Sequence, residues 1–378
     1  MNKNAVATLP ITASVANQNF IFLVLAWICG IIVWFNPGVG VWFLLPVFLL
    51  WIVRGIKTHQ FIQSSLLNLP GAVFMLTAII GVWTAYDFQA AFHKFLILLA
   101  GIFIYIALAY LDQERIFWFF GLVSVTALLL AGYFLLSNDW AAIPADFDLI
   151  NRLAERWMAV RAGLPPGFDN ANIPAGILAV MLPLIAAFTW YAQANLRHHW
   201  RWIGWVSFSV VYFAIFMSSS RAVWMALAAG LAGWAWWEIS NRAGHRLGWN
   251  PRKLFLMGIS IVVAAGVFLL SYQASQFNSV ASVLTGGSSA FIRSNLYHQT
   301  TDLIADFWLT GGGLQSFAGL YSKYILDIPY LFFKYAHNLW LDVALEQGLF
   351  GLLSFVAIYA WTSIQLLHFI VRSSQDLK

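Results

Sequence analysis

The sequence predicts an all-α polytopic membrane protein, a transmembrane helical bundle of about ten or more spans with a large outer loop between the last two long spans. Three observations carry that expectation. The 378 residues are 61% hydrophobic and only 9% charged, whereas soluble domains hold roughly a quarter charged residues. The apolar residues fall into long runs rather than an even scatter. Lysine and arginine gather in the short polar stretches between those runs.

The elements follow in chain order. The first 19 residues are polar and mixed, with Lys3 as their only basic residue. The apolar run after them ends at "WFNPGVGVW" with no small-residue cleavage site, so it is expected to stay as the first span. About 20 apolar residues carry a helix across a bilayer. Ten segments qualify, at roughly 20–36, 38–54, 68–86, 95–111, 116–136, 174–193, 202–218, 222–238, 254–272 and 349–370. Strands of a membrane barrel would be about half that length. Residues 1–378 thus read as a single integral membrane domain.

Orientation comes from the short loops, because cytoplasmic loops retain an excess of Lys and Arg. With the N-terminus inside, 12 of the 20 basic residues fall on the cytoplasmic side, most tellingly in "NLRHHWRW" and "NRAGHRLGWNPRK". Both termini are then cytoplasmic, and two long segments face outward. The first outer loop, 137–173, holds "FDLINRLAERWMAVR", whose apolar spacing predicts an amphipathic helix lying on the membrane. The large loop is 273–336, and long loops in compact proteins are usually functional.

Composition also excludes some classes. Cys29 is the single cysteine, so neither a disulfide framework nor a Cys-based metal site is available. The net charge of +5 is scattered between spans and not gathered into a patch, which argues against nucleic acid as a partner. The sequence has neither a Walker loop nor a dinucleotide fingerprint.

Four stretches concentrate polar chemistry on the outer face. In "FMSSSRAVWMALAAG", Ser220 is placed to cap the helix that Arg221 opens. That helix end and Arg221 make an anion site, or else Arg221 is an interfacial arginine snorkelling to headgroups. In "TGGSSAFIRSNLYHQTTDLIADFWLTGGGLQSF", Arg293 offers a bidentate fork to a phosphate, or pairs with Asp302 or Asp306 on the surface. In "GFDNANIPAGILAVMLPL", Asp169, Asn170 and Asn172 bind sugar hydroxyls or cap the next helix.

The fourth is "KYAHNLWLDVALEQGLFG". On a helix Asn338, Asp342 and Glu346 recur every four positions and form one polar stripe, which either serves a site or simply faces water. His337 lies about 100° from Asn338, so Glu346 is badly placed to orient it. A neutral histidine, whose ordinary pKa is near 6.5, can take a proton from a hydroxyl nucleophile.

In their order along the chain these stretches resemble the O-antigen ligase and polymerase family of bacterial membrane glycosyltransferases. The matching pieces run from about residue 165 to 360 and end with the most specific, "AHNLWLDVALEQGLFGLLSF". The resemblance implies a glycan donor carried on undecaprenyl diphosphate and an acceptor hydroxyl on lipid A–core or another glycan. Membrane lipids surround the site, and neither cofactor nor metal is required. It places the enzyme in the bacterial inner membrane with a periplasmic active site. It implies Arg221 and Arg293 on the donor diphosphate, His337 as catalytic base, and Asn338, Asn172 and Ser220 among the substrate-binding residues. The stretch "FDNAN" departs from the family's usual approach to Asn172. Polymerase or protein O-oligosaccharyltransferase activity shares the same donor chemistry. A small-anion transporter is the rival from another class, set back by the lack of an internal repeat.

Overall fold

A computed structural model describes residues 13–36, 38, 40–140, 148–161, 163–165, 167–168, 170–247, 250, 253–261, 288–325 and 333–373. Every regular element among them is helical. The chain divides into two units, residues 1–111 with 263–378, and residues 112–262.

The first unit begins with α1 (Ala13–Phe35), α2 (Gly40–Thr58), α3 (Asn68–Trp83) and α4 (Phe88–Leu108). Helices α1, α2 and α4 pack on one another through Val33, Leu44, Leu96 and Ala100. Asp87 caps α4 by accepting from the amides of Gln89 and Ala90 at 2.9 and 3.1 Å. This cap starts α4 seven residues before the predicted span. The unit closes with α10 (Ser288–Asp306), α11 (Phe317–Tyr324) and α12 (Leu339–Ser373), and α12 packs along α3.

The second unit holds α5 (Gln113–Ser137), α6 (Asp148–Val160), α7 (Asn172–Asn195), α8 (His198–Met217) and α9 (Arg221–Leu247). Small residues let its helices close in: Ala127, Ala131, Ala175 and Ala214 are fully buried. Helix α6 is the expected amphipathic one, and it buries Ile150 and Ala154 in that core. Trp157 and Arg161, at its end, donate to the Leu135 and Leu136 carbonyls at the close of α5.

Among the described residues seven helices are long and apolar enough to cross a membrane, within α1, α2, α4, α5, α7, α8 and α12. The other predicted segments differ for identifiable reasons. Helix α3 is apolar but has 16 residues. Helix α9 is rich in Ala, Gly and Trp, of modest hydropathy, and ends in the polar "EISNRAGHRL". The segment 254–272 lies mostly outside the described residues, and its helical start, 253–261, packs on Trp236 and Trp237 of α9.

Candidate active site

The polar residues of the second unit gather where α7 and α9 begin. The Asn170 carboxamide oxygen accepts from the Asn172 amide at 2.8 Å, so Asn170 is the capping residue and Asn172 the exposed first residue of α7. Asp169 lies outside the described residues. The three serines wind a tight turn between α8 and α9. The Ser218 hydroxyl donates to the Ile215 carbonyl at 2.7 Å and accepts from the Ser220 amide at 3.3 Å. Ser219 takes a left-handed φ of 55°. The Ser220 carbonyl receives the Trp224 amide at 3.0 Å, which makes Ser220 the N-cap position. Arg221 is therefore delivered, solvent-exposed, at the positive end of α9. Helices α7 and α8 pack together across the short turn at 196–197 and so run antiparallel, which sets the start of α7, the end of α8 and the start of α9, with Asn172 and Arg221, at the same end of this unit.

The first unit builds a denser arrangement around the stretch from Tyr335 to Gly348. His337 is exposed and has a left-handed φ of 54°, a region that non-glycine residues enter rarely and histidine more readily than most. Its ring meets Tyr335 edge-on at 5.2 Å, and its carbonyl accepts from the Tyr297 hydroxyl at 3.3 Å. Tyr297 belongs to α10, and residue 293 precedes it by one turn on the same side of that helix. The structure thus brings the helix of Arg293 against the His337 turn, while the Arg293 side chain lies outside what is described. Nearby, the Tyr321 phenol donates to Gln299 of α10, and burial pushes its pKa above the ordinary tyrosine value.

Asn338 begins α12 as its cap, with its side-chain oxygen accepting from the Trp340 amide at 3.0 Å. The rest of the predicted stripe turns inward. The Asp342 carboxylate accepts from the Ala336 amide at 2.9 Å. Glu346 is only 4% exposed, and both its oxygens receive the Lys94 ammonium of α4, at 2.8 and 2.6 Å. The adjacent Gln347 carboxamide receives the Thr77 hydroxyl of α3 at 2.8 Å. Glu346 and Gln347 are buried, and Asp342 is half-buried.

Immediately afterwards the helix breaks. Gly348 has φ 67° and ψ −163°, which separates 339–347 from the long apolar remainder of α12. The break is filled by the glycine turn. The amides of Gly312 and Gly313 donate to the Leu345 and Glu346 carbonyls at 2.6 and 3.2 Å. Leu314 donates to the Gly81 carbonyl of α3, and Leu349 donates back to Trp308. A β-carbon on Gly348 would stand 2.4 Å from the Leu309 oxygen, so only glycine fits.

Sequence reasoning singled out His337, Asn338, Ser220, Asn172 and the two arginines and passed over Lys94. The signal was present: a lysine two turns inside an apolar helix is costly and tends to be functional. Starting that span at residue 95 left Lys94 at the interface, and reading Asp87 as a cap would have moved it inside.

A family model described as O-Antigen ligase matches residues 206–356. The match runs from within α8 to just past the break in α12 and includes Ser220, Arg221, Arg293, His337 and Asn338, with Asn172 ahead of it. No curated protein and no solved structure matches the chain.

Proposed function

We propose, on the premise that residues 206–356 belong to the O-antigen ligase family, that the chain transfers a glycan from undecaprenyl diphosphate to an acceptor hydroxyl, and that the acceptor is lipid A–core. The single observation that carries this reading is that one family match encloses Arg221, Arg293 and His337 together. Arg221 and Arg293 balance the diphosphate charge, and stabilising the charge that develops on the leaving oxygen is often the largest catalytic contribution. His337 accepts the acceptor's hydroxyl proton as that oxygen bonds to the anomeric carbon. The bond from that carbon to the phosphate oxygen breaks, the lipid diphosphate departs, and the single displacement inverts the anomeric centre. General-base help of this kind is worth about 10²–10⁴-fold. The active site faces the periplasm of the inner membrane, where donor glycan and lipid A–core meet.

Purified protein incubated with lipid-linked donor and a panel of acceptors tests the reading. The expected result is glycan transfer to lipid A–core, lost in Arg221→Ala and in Arg293→Ala and poorly restored by lysine, which lacks the planar fork. Transfer that lengthens the lipid-linked glycan would make the enzyme a polymerase. An alanine variant with normal transfer would make that arginine a headgroup anchor.

A further inference from the structure

His337 occupies a backbone conformation that persists only where its surroundings over-determine it. Each flank of the turn is tied. Ala336 is fully buried, and its amide is held by Asp342 at 2.9 Å. The His337 carbonyl takes the Tyr297 hydroxyl, and the Asn338 carbonyl takes the Asp342 amide at 2.9 Å. Asp342 therefore grips the turn from both sides, through its carboxylate and through its own backbone.

The grip is only as firm as the piece of helix that supplies it. Residues 339–347 end at the Gly348 break, and so short a helix is marginal by itself. Asp342 and Glu346 lie one turn apart on one face, and that face is pinned by Lys94 through both Glu346 oxygens.

We propose that Asp342 is a positioning residue for His337, and that the Lys94–Glu346 pair anchors the short helix from which Asp342 acts. The inference rests on the base role given to His337 above. It assigns the N-terminal helix α4, which lies outside the family match, a part in holding the reacting geometry.

The test uses the full-length protein, with turnover and donor binding measured separately. Asp342→Asn keeps an oxygen for the Ala336 amide, whereas Asp342→Ala removes it. The expected result is near-normal turnover in Asp342→Asn and about 100-fold loss in Asp342→Ala, the size of effect that a misplacement near 1 Å produces, with donor affinity retained in both. In a His337→Asn background, Asp342→Ala should cost nothing further. The proposal is overturned if Asp342→Ala turns over normally, if Asp342→Asn loses as much as alanine, or if alanine slows the His337→Asn background equally. A His337→Asn enzyme with full activity would remove the base itself and the positioning role with it. Normal turnover in Asp342→Ala beside an inactive His337→Asn would remove only the positioning role.

Discussion

His337, Gln315 and Ser219 are three of the four non-glycine residues with positive φ among the described positions, and each sits inside a stretch that stood out in sequence. Backbone strain of this kind costs about 1–3 kcal/mol per residue and collects at functional sites. The strain guides the choice of substitution at His337. Asparagine tolerates the left-handed region but cannot act as a base, so His337→Asn isolates chemistry from conformation. Its turnover should fall by about 10²–10⁴-fold with an unchanged melting temperature and retained donor binding. His337→Val, β-branched and ill-suited to that φ, should lower the melting temperature as well. Thermal melts recorded beside single-turnover transfer separate the two effects, and a His337→Asn protein that melts early would show the ring to be structural. Histidine and asparagine side by side at 337 and 338 were legible as a motif. Their division of labour, with the asparagine capping and the histidine twisted outward, was not, because a left-handed turn leaves no mark on periodicity.

At the scale of the element, α12 is two helices joined at Gly348. The sequence "ALEQGLFGLLSF" reads as continuous helix, since one glycine costs a helix only about 1 kcal/mol. What breaks it is the glycine turn of 311–313, whose amides occupy the Leu345 and Glu346 carbonyls. The Lys94–Glu346 pair stitches the piece before the break to α4. Removing one member leaves the other charge largely buried, which typically costs 3–5 kcal/mol. Lys94 keeps a third of its side chain exposed, so Lys94→Met or Glu346→Gln should destabilise by about 3 kcal/mol, at the lower end. The double variant Lys94→Met/Glu346→Gln should recover most of that loss, because no uncompensated charge remains. Thermal denaturation of the four proteins closes the cycle. Additive losses would mean that the two side chains do not act as a pair.

For the whole molecule, the Lys/Arg asymmetry expects 273–336 on the outer face and both termini inside. In a Cys29→Ser background, Ser288→Cys should react with an impermeant maleimide in cells whose outer membrane is permeabilised, and Ser374→Cys should react only after lysis. Equal labelling before lysis would reverse or discard that topology and take the outward-facing site with it. Composition alone determined that the chain is a helical membrane protein, because water leaves so apolar a surface no other home. The order of short polar stretches carried the resemblance to the O-antigen ligase family over residues 206–356, because Arg221, Arg293 and the His337–Asn338 pair carry their meaning in local type and spacing. Tertiary structure alone decided what Glu346 does. Its partner Lys94 is 252 residues away, and a polar stripe at helical spacing reads the same whether it faces water or a buried ammonium. Only the packing of α4 and α3 against the broken start of α12 turned that stripe inward.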